Sequence, residues 1–171
     1  LKLLSRPVNY LTYSVAARDG REHEVEVYFE ASPRWALDQP YQQSASKGYE
    51  ADGLLYLKSG SKEQNILAKQ GDDLRIDWGY FYMVAGKENT AYSVGNSTEL
   101  RKNFVNGTLN SASLEGEDSN GNMALVRSHG KVKNVTDKIM LGYDDIYSIQ
   151  YFGTNLRPYW NSKGDRTIEA E

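Results

Sequence analysis

Along residues 8–17, Leu11, Tyr13 and Val15 alternate with Tyr10, Thr12 and Ser14, and β-branched and aromatic types dominate. A period of two with that composition predicts a β-strand. Asp19-Gly20 follows as turn chemistry. Residues 24–31 then alternate again, with Glu24, Glu26 and Glu30 on one face and Val25, Val27, Phe29 and Ala31 on the other. This is the pattern of a strand with one wet side. With Asp-Gly between them, the two segments predict a hairpin.

Residues 32–41 carry Pro33, Pro40 and the amphipathic Trp35, and read as a crossing loop. Shorter strands are predicted at 42–49 and 54–58, punctuated by Gly53 and Gly60. Beyond Gly71-Asp72-Asp73, the residues Leu74, Ile76, Trp78, Tyr80, Tyr82 and Val84 alternate with Arg75, Asp77 and Gly79, which makes 74–84 the best central-strand candidate. Residues 86–121 turn to Asn, Ser, Gly, Glu and Lys and read mostly as an excursion. One short helix is predicted there, capped by Ser97 or Thr98 and containing Leu100, Phe104 and Val105. Strands at 123–132 and 138–143 bring the chain back to the sheet, and 106–122 is its most loop-like stretch. Many strands, frequent turn signals and few helical patterns predict an all-β fold: an antiparallel β-sandwich with long loops and one or two short helices, occupying 1–171 as one domain.

Composition agrees with this picture. In 171 residues, 13 Tyr, 3 Trp and 4 Phe supply large buried area while keeping polar tips. The net charge is −3 and the basic residues are scattered among acidic ones, so neither nucleic acid nor an anionic membrane surface is an expected partner. No apolar run approaches the roughly 18 residues of a membrane-spanning helix. Cysteine is absent, which removes disulfides, thiol catalysis and Cys-based zinc sites. The opening Leu1-Lys2-Leu3-Leu4 and the charged close after Asp165 lead us to expect a piece of a longer polypeptide, with a helical part to follow.

Candidate chemistry is sparse. His23 and His129 stand in polar surroundings with no serine or carboxylate at a telling spacing, and read as lone surface histidines, not as the base of a triad in a self-contained hydrolase. Asp118, Asn120 and Asn122 have the alternate-oxygen spacing of a calcium loop. Met123 occupies the place of the turn glycine and no glutamate closes the loop, so a hairpin loop is expected. Asp72 and Asp73 read as turn residues. The sequons at Asn96, Asn106 and Asn134 indicate accessible loops. No metal or other cofactor is expected.

The densest segment is 141–160, where Asp144, Asp145, Tyr147, Tyr151, Arg157 and Trp160 gather with Tyr143, Phe152 and Tyr159. Rings that stack on apolar faces, with Asp and Arg to fix orientation, suit a sugar-binding cleft or a protein interface. A core corner with its hydroxyls satisfied by backbone is the other reading, and both stay open. Asp144 and Asp145 are adjacent, and on a strand they point to opposite faces, which speaks against a glycosidase pair.

Four blocks, LLSRPVNYLTY, REHEVEVYFEAS, GDDLRIDWGYFYM and LGYDDIYSIQYFGTNLRPYW, together resemble the β-sandwich domain that precedes the catalytic region in the glutaminase A family of secreted bacterial and fungal proteins. The resemblance spans both ends of the chain and skips 87–120. It implies a secreted or periplasmic multidomain protein in which this accessory domain packs against a helical (α/α)-toroid, an arrangement similar to that of several glycoside hydrolases. It also implies a parent activity of hydrolysing L-glutamine to glutamate and ammonia. No catalytic residue of the family falls on a numbered position here. The expected role is therefore non-catalytic, with Tyr147, Tyr151, Arg157 and Trp160 contributing to the contact with the toroid. The alternative is a carbohydrate-binding module with a glycan or small-molecule ligand.

Overall fold

The alternating segments assemble, in a computed structural model that describes residues 1–109 and 121–171, into two facing antiparallel sheets. The larger has five strands in the order β1 (Val8–Ala16), β8 (Asn134–Asp144), β5 (Tyr80–Gly86), β4 (Leu54–Ser61) and β3 (Ser44–Ala51). The smaller has three, in the order β2 (His23–Ala31), β7 (Asn122–Val132) and β6 (Thr90–Gly95). A separate hairpin joins β9 (Ile149–Tyr151) to β10 (Thr154–Leu156). The all-β sandwich expected from the pattern is the fold observed.

The core lies between the sheets. Leu57, Phe81, Met83, Ala85 and Ile139 of the larger sheet meet Met123, Leu125 and Val94 of the smaller, with Ala36 from a short 3₁₀ turn at Pro33–Ala36 closing one end. Both faces of β5 are buried. Phe81 and Met83 point into this core, while Tyr82 and Val84 join Tyr56 on the outer face, where Ile168 from the C-terminal segment covers them. Among the described residues no helix is long and apolar enough to cross a membrane.

Several local expectations change. The segments flanking Asp19-Gly20 do not form a hairpin: β1 pairs with β8 and β2 pairs with β7, so the Asp-Gly turn carries the chain from one sheet to the other. Both strands alternate apolar and polar positions, and each pairs along its length with a strand distant in sequence. The long candidate at 74–84 begins as a strand only at Tyr80; Leu74 and Ile76 are 44% and 41% exposed, while Asp77 is buried. Residues 62–79 instead wrap back over the sheet end, held by side-chain bonds to Asp77. Within the expected excursion at 86–121 lies β6. The helix α1 (Ser97–Val105) is capped by Asn96, whose Oδ1 accepts the Thr98 N–H at 2.9 Å, one residue before the predicted caps.

Helix α1 packs on the outer face of the smaller sheet, with Leu100 buried and the Phe104 ring 4.9 Å from that of Tyr28. Beneath it, Glu30 accepts bonds from Arg101 Nε at 2.8 Å, the Tyr28 hydroxyl at 3.0 Å and Asn122 Nδ2 at 2.5 Å. Burial raises the Glu30 pKa, but these donors together with Ser97 outweigh it and hold the carboxyl at about 2, against an ordinary 4.5. A carboxyl held below its unfolded value adds stability above the unfolded pKa, and loses it as pH falls through the folded one. Urea unfolding of the native chain is therefore expected to weaken between about pH 4.5 and 2. In Glu30→Gln the dependence in that window should flatten by about 1–2 kcal/mol, after allowing for solvent screening.

Candidate functional site

The chain leaves the larger sheet at Asp144 through a tight bend that projects the β9–β10 hairpin as an arm. Asp144 Oδ1 accepts the Ile146 N–H at 3.0 Å, and Asp145 Oδ2 accepts the Ser148 hydroxyl at 2.5 Å. The Ser148 N–H bonds the Leu156 carbonyl at 2.9 Å and closes the arm's base. Ile146 holds φ 59°, a conformation that β-branched residues rarely adopt. The two adjacent carboxylates thus serve the bend. Burial, followed by the Asp145 charge, pushes the Asp144 carboxyl upward against the opposing Ile146 N–H.

The bend is seated on the corner that precedes β5. Trp78 Nε1 donates to the Tyr147 carbonyl at 2.9 Å, and the Tyr143 hydroxyl donates to the Trp78 carbonyl at 2.6 Å. Gly79 lies directly against the Asp144 backbone with φ +76°, and Gln64 clamps it by accepting its N–H at 2.8 Å and donating to its carbonyl at 3.1 Å. The guanidinium of Arg157 stands 4.8 Å from the Tyr147 ring centroid, in cation–π range. Tyr147 and Arg157 therefore form one unit at the arm's root.

At the tip the chain turns through Phe152 and Gly153, with φ 45° and 78°, the double left-handed geometry of a two-residue hairpin. Phe152 is 91% exposed and Tyr151 61%, and their rings meet edge to face at 4.5 Å. Ile149 and Tyr159 are also mostly exposed. Phe152 is the most exposed ring; the sequence placed it in the dense segment but not among the expected contact residues. The signal for it was Phe-Gly standing between two short β-prone triplets. Trp160 differs from its neighbours: it is 7% exposed, and it walls a cleft of about 360 Å3 that Lys2, Lys163 and Arg166 also line. Of the expected contact residues, Tyr147, Tyr151 and Arg157 are brought together on the arm, whereas the Trp160 indole is enclosed within this chain.

The segment after the arm is tied down at its end. The Asn161 side chain exchanges two 3.0 Å bonds with the Arg166 backbone. The Tyr49 hydroxyl donates to Glu169 at 2.5 Å, and Arg6 and Arg166 both pair with the enclosed Glu171 carboxylate. This strap roofs the tyrosine-rich outer face of the larger sheet, where the Lys58 ammonium sits 3.6 Å from the Tyr80 ring centroid. Burial, then the Lys47 charge, lowers the Lys58 pKa.

The histidines separate. His23 is exposed and bonds Asp19 at 3.0 Å across the turn. His129 is no surface residue: its side chain is 10% exposed, Nε2 lies 2.8 Å from the Tyr13 hydroxyl and 4.0 Å from Asp137, and Asp137 is held by Arg127 at 2.8 Å. This cluster joins the two sheets, β1 and β8 supplying Tyr13 and Asp137 and β7 supplying the others. Periodicity offered no hint of it, because Tyr13 stands 116 residues from His129 and the cluster spans strands of opposite sheets. The histidine's close partner is a phenol that Asp137 also binds, and neither histidine bonds a serine among the described residues. Asp118 and Asn120 of the calcium-like spacing lie outside the described residues, and Asn122 spends its amide on Glu30.

A family model described as a domain of unknown function, DUF5127, matches residues 1–170. No curated protein matches the chain.

Proposed function

We propose a docking role for this chain, which belongs to the DUF5127 family: a non-catalytic β-sandwich that seats the helical toroid domain of an extracytoplasmic, glutaminase-like hydrolase. The observation that carries the reading is the aromatic arm. A hairpin whose base is fixed by the Asp144–Ser148 bend, and whose tip holds Tyr151 and Phe152 almost clear of the protein, exposes apolar area that a domain surface buries. The four-block resemblance to the glutaminase A family supplies the nature of the neighbour and the parent's substrate.

The test compares the chain with its parent polypeptide. The chain alone is expected to leave L-glutamine intact. In the parent, Tyr151→Ser with Phe152→Ser should split one thermal transition into two and reduce glutamine hydrolysis several-fold. Turnover by the isolated chain, or a parent indifferent to both replacements, sinks the reading. A carbohydrate-binding module is the alternative, favoured by Trp35, which is 68% exposed and rests on Phe81 at 5.4 Å as a ready stacking face. A glycan-array signal that disappears in Trp35→Ala would select it.

A further inference from the structure

Two open sheets have four edges, and three of these carry the devices that stop one strand from pairing with another. The edge at β2 has a register shift between Val25 and Glu26 and displays His23, Glu24 and Glu26. The edge at β3 carries Lys47, Gly48 and Glu50, and Gly48 lies against the Tyr92 ring of β6. The edge at β6 is only six residues long and runs straight into α1, which packs beside it.

The fourth edge is bare. β1 runs for nine residues, Val-Asn-Tyr-Leu-Thr-Tyr-Ser-Val-Ala, with no charge, no proline and no glycine. One side pairs with β8 along its whole length, and among the described residues no strand pairs with the other. Both faces are open as well. Leu11 lies opposite the fully buried Ile139 and so belongs to the inner face, yet it is 44% exposed and Val15 36%. The smaller sheet ends at β2, whose Phe29 reaches Tyr13 at 5.5 Å and covers no farther. On the outer face Tyr10 is 55% exposed.

We infer that β1 is a strand-addition edge and that its occupant is β1 of a second copy of this chain, joining two five-stranded sheets edge to edge. A neutral edge selects a neutral strand. Among the described strands the neutral β5 is already paired on both sides and β6 is only six residues long, so the long neutral strand with an unpaired side is β1 itself. Antiparallel pairing about a two-fold axis at Thr12 keeps every residue in register. It sets Leu11 opposite the partner's Tyr13 on the inner face, and Tyr10 opposite the partner's Ser14 on the outer. Opposed residues of an antiparallel pair share a face, so Leu11 and Tyr10 gain cover directly, and Val15 falls opposite the partner's Asn9. The axis is isologous and closes at a dimer.

Charge exchange at Thr12 tests this. Thr12 faces Lys138 within each chain, so Thr12→Glu gains a cross-strand partner in the monomer while setting two like charges against each other at the axis. Sedimentation over about 1 µM to 1 mM should show a concentration-dependent dimer for the native chain. In Thr12→Glu, with unchanged circular dichroism and melting, the dissociation constant should rise at least about tenfold. An equimolar mixture of Thr12→Glu and Thr12→Lys should recover the dimer. A native chain that stays monomeric throughout, or a Thr12→Glu variant that dimerises as the native chain does, overturns the proposal. If Thr12→Lys fails to fold, the comparison of Thr12→Glu with the native chain still decides.

Discussion

Gly79→Ala is expected to unseat the aromatic arm and to destabilise the fold by about 3–5 kcal/mol, near the upper end of single-residue effects. Two costs combine. An alanine at φ +76° occupies the left-handed region, which takes about 1–2 kcal/mol from a residue with a Cβ. That Cβ would also stand 2.1 Å from the Asp144 carbonyl oxygen, a backbone atom that moves only if the bend moves with it. The displaced bend would carry the Trp78–Tyr147 bond and the root of the arm. Gly153→Ala at the tip is the control. Its φ is +78° but nothing lies within 4 Å of the added carbon, so only the conformational cost of about 1–2 kcal/mol should appear. Urea unfolding measures both, and tryptophan emission from Trp78 reports the local change. Equal losses in the two variants would show that Gly79 matters only for its backbone angle.

Asp77→Ala should cost about 2–3 kcal/mol and release residues 62–79 to proteolysis at low protease concentration. Asp77 is 2% exposed, and Oδ2 accepts both Gln42 Nε2 and Lys69 Nζ at 2.8 Å. Lys69 reaches on to Asp38 at 3.0 Å, so one ammonium bridges two carboxylates and clips the wrap to the turn at residues 38–42. Removing the carboxylate leaves the Gln42 amide without its acceptor. The effect stays below that of a fully buried pair because Lys69 keeps Asp38 and part of its hydration. The acids bring Lys69 above its ordinary pKa, the bonds it donates to Asp77 and then to Asp38 being the main causes, so the clip persists across the neutral range. An Asp77→Ala chain as stable and as protease-resistant as the native one would show that the wrap is held by other contacts.

These two variants lie in the stretch where the sequence pattern misleads most. The apolar alternation from Leu74 to Val84 is real, but only its second half enters the sheet. Asp77 sits among residues patterned for a wet face, and it is buried because Lys69 and Gln42 come to meet it. Periodicity records which side a residue would take if the segment were a strand. It contains nothing about a salt bridge that makes another path more stable. The hairpin expected at Asp19-Gly20 failed for a related reason: each flanking strand has the correct faces, and turn chemistry alone does not select a partner when longer neighbours offer a fuller ladder.

The candidate segment was easier to read. The crowding of Tyr, Asp and Arg in 141–160 marked the arm, and Asp144, Asp145, Tyr147, Tyr151 and Arg157 all fall at its base or along it. Which rings face outward was not legible. Trp160 is buried in the 3₁₀ turn at Tyr159–Asn161 and Phe152 is exposed at the left-handed tip, places where the two-residue alternation of a strand no longer applies. The environment of His129 was likewise hidden, since it is assembled by strands of opposite sheets.

The sequence by itself determined the class of fold, the faces of its strands and the location of the aromatic segment. All three follow from local rules: the two-residue pleat, turn residues and composition within a short window. The tertiary structure alone decided which strands pair, which ring is exposed, and that the larger sheet overhangs the smaller at β1. Those outcomes depend on contacts between residues far apart in the chain. A period of two is the same whatever strand lies alongside it, and so it cannot record that, among the described residues, β1 pairs on only one side.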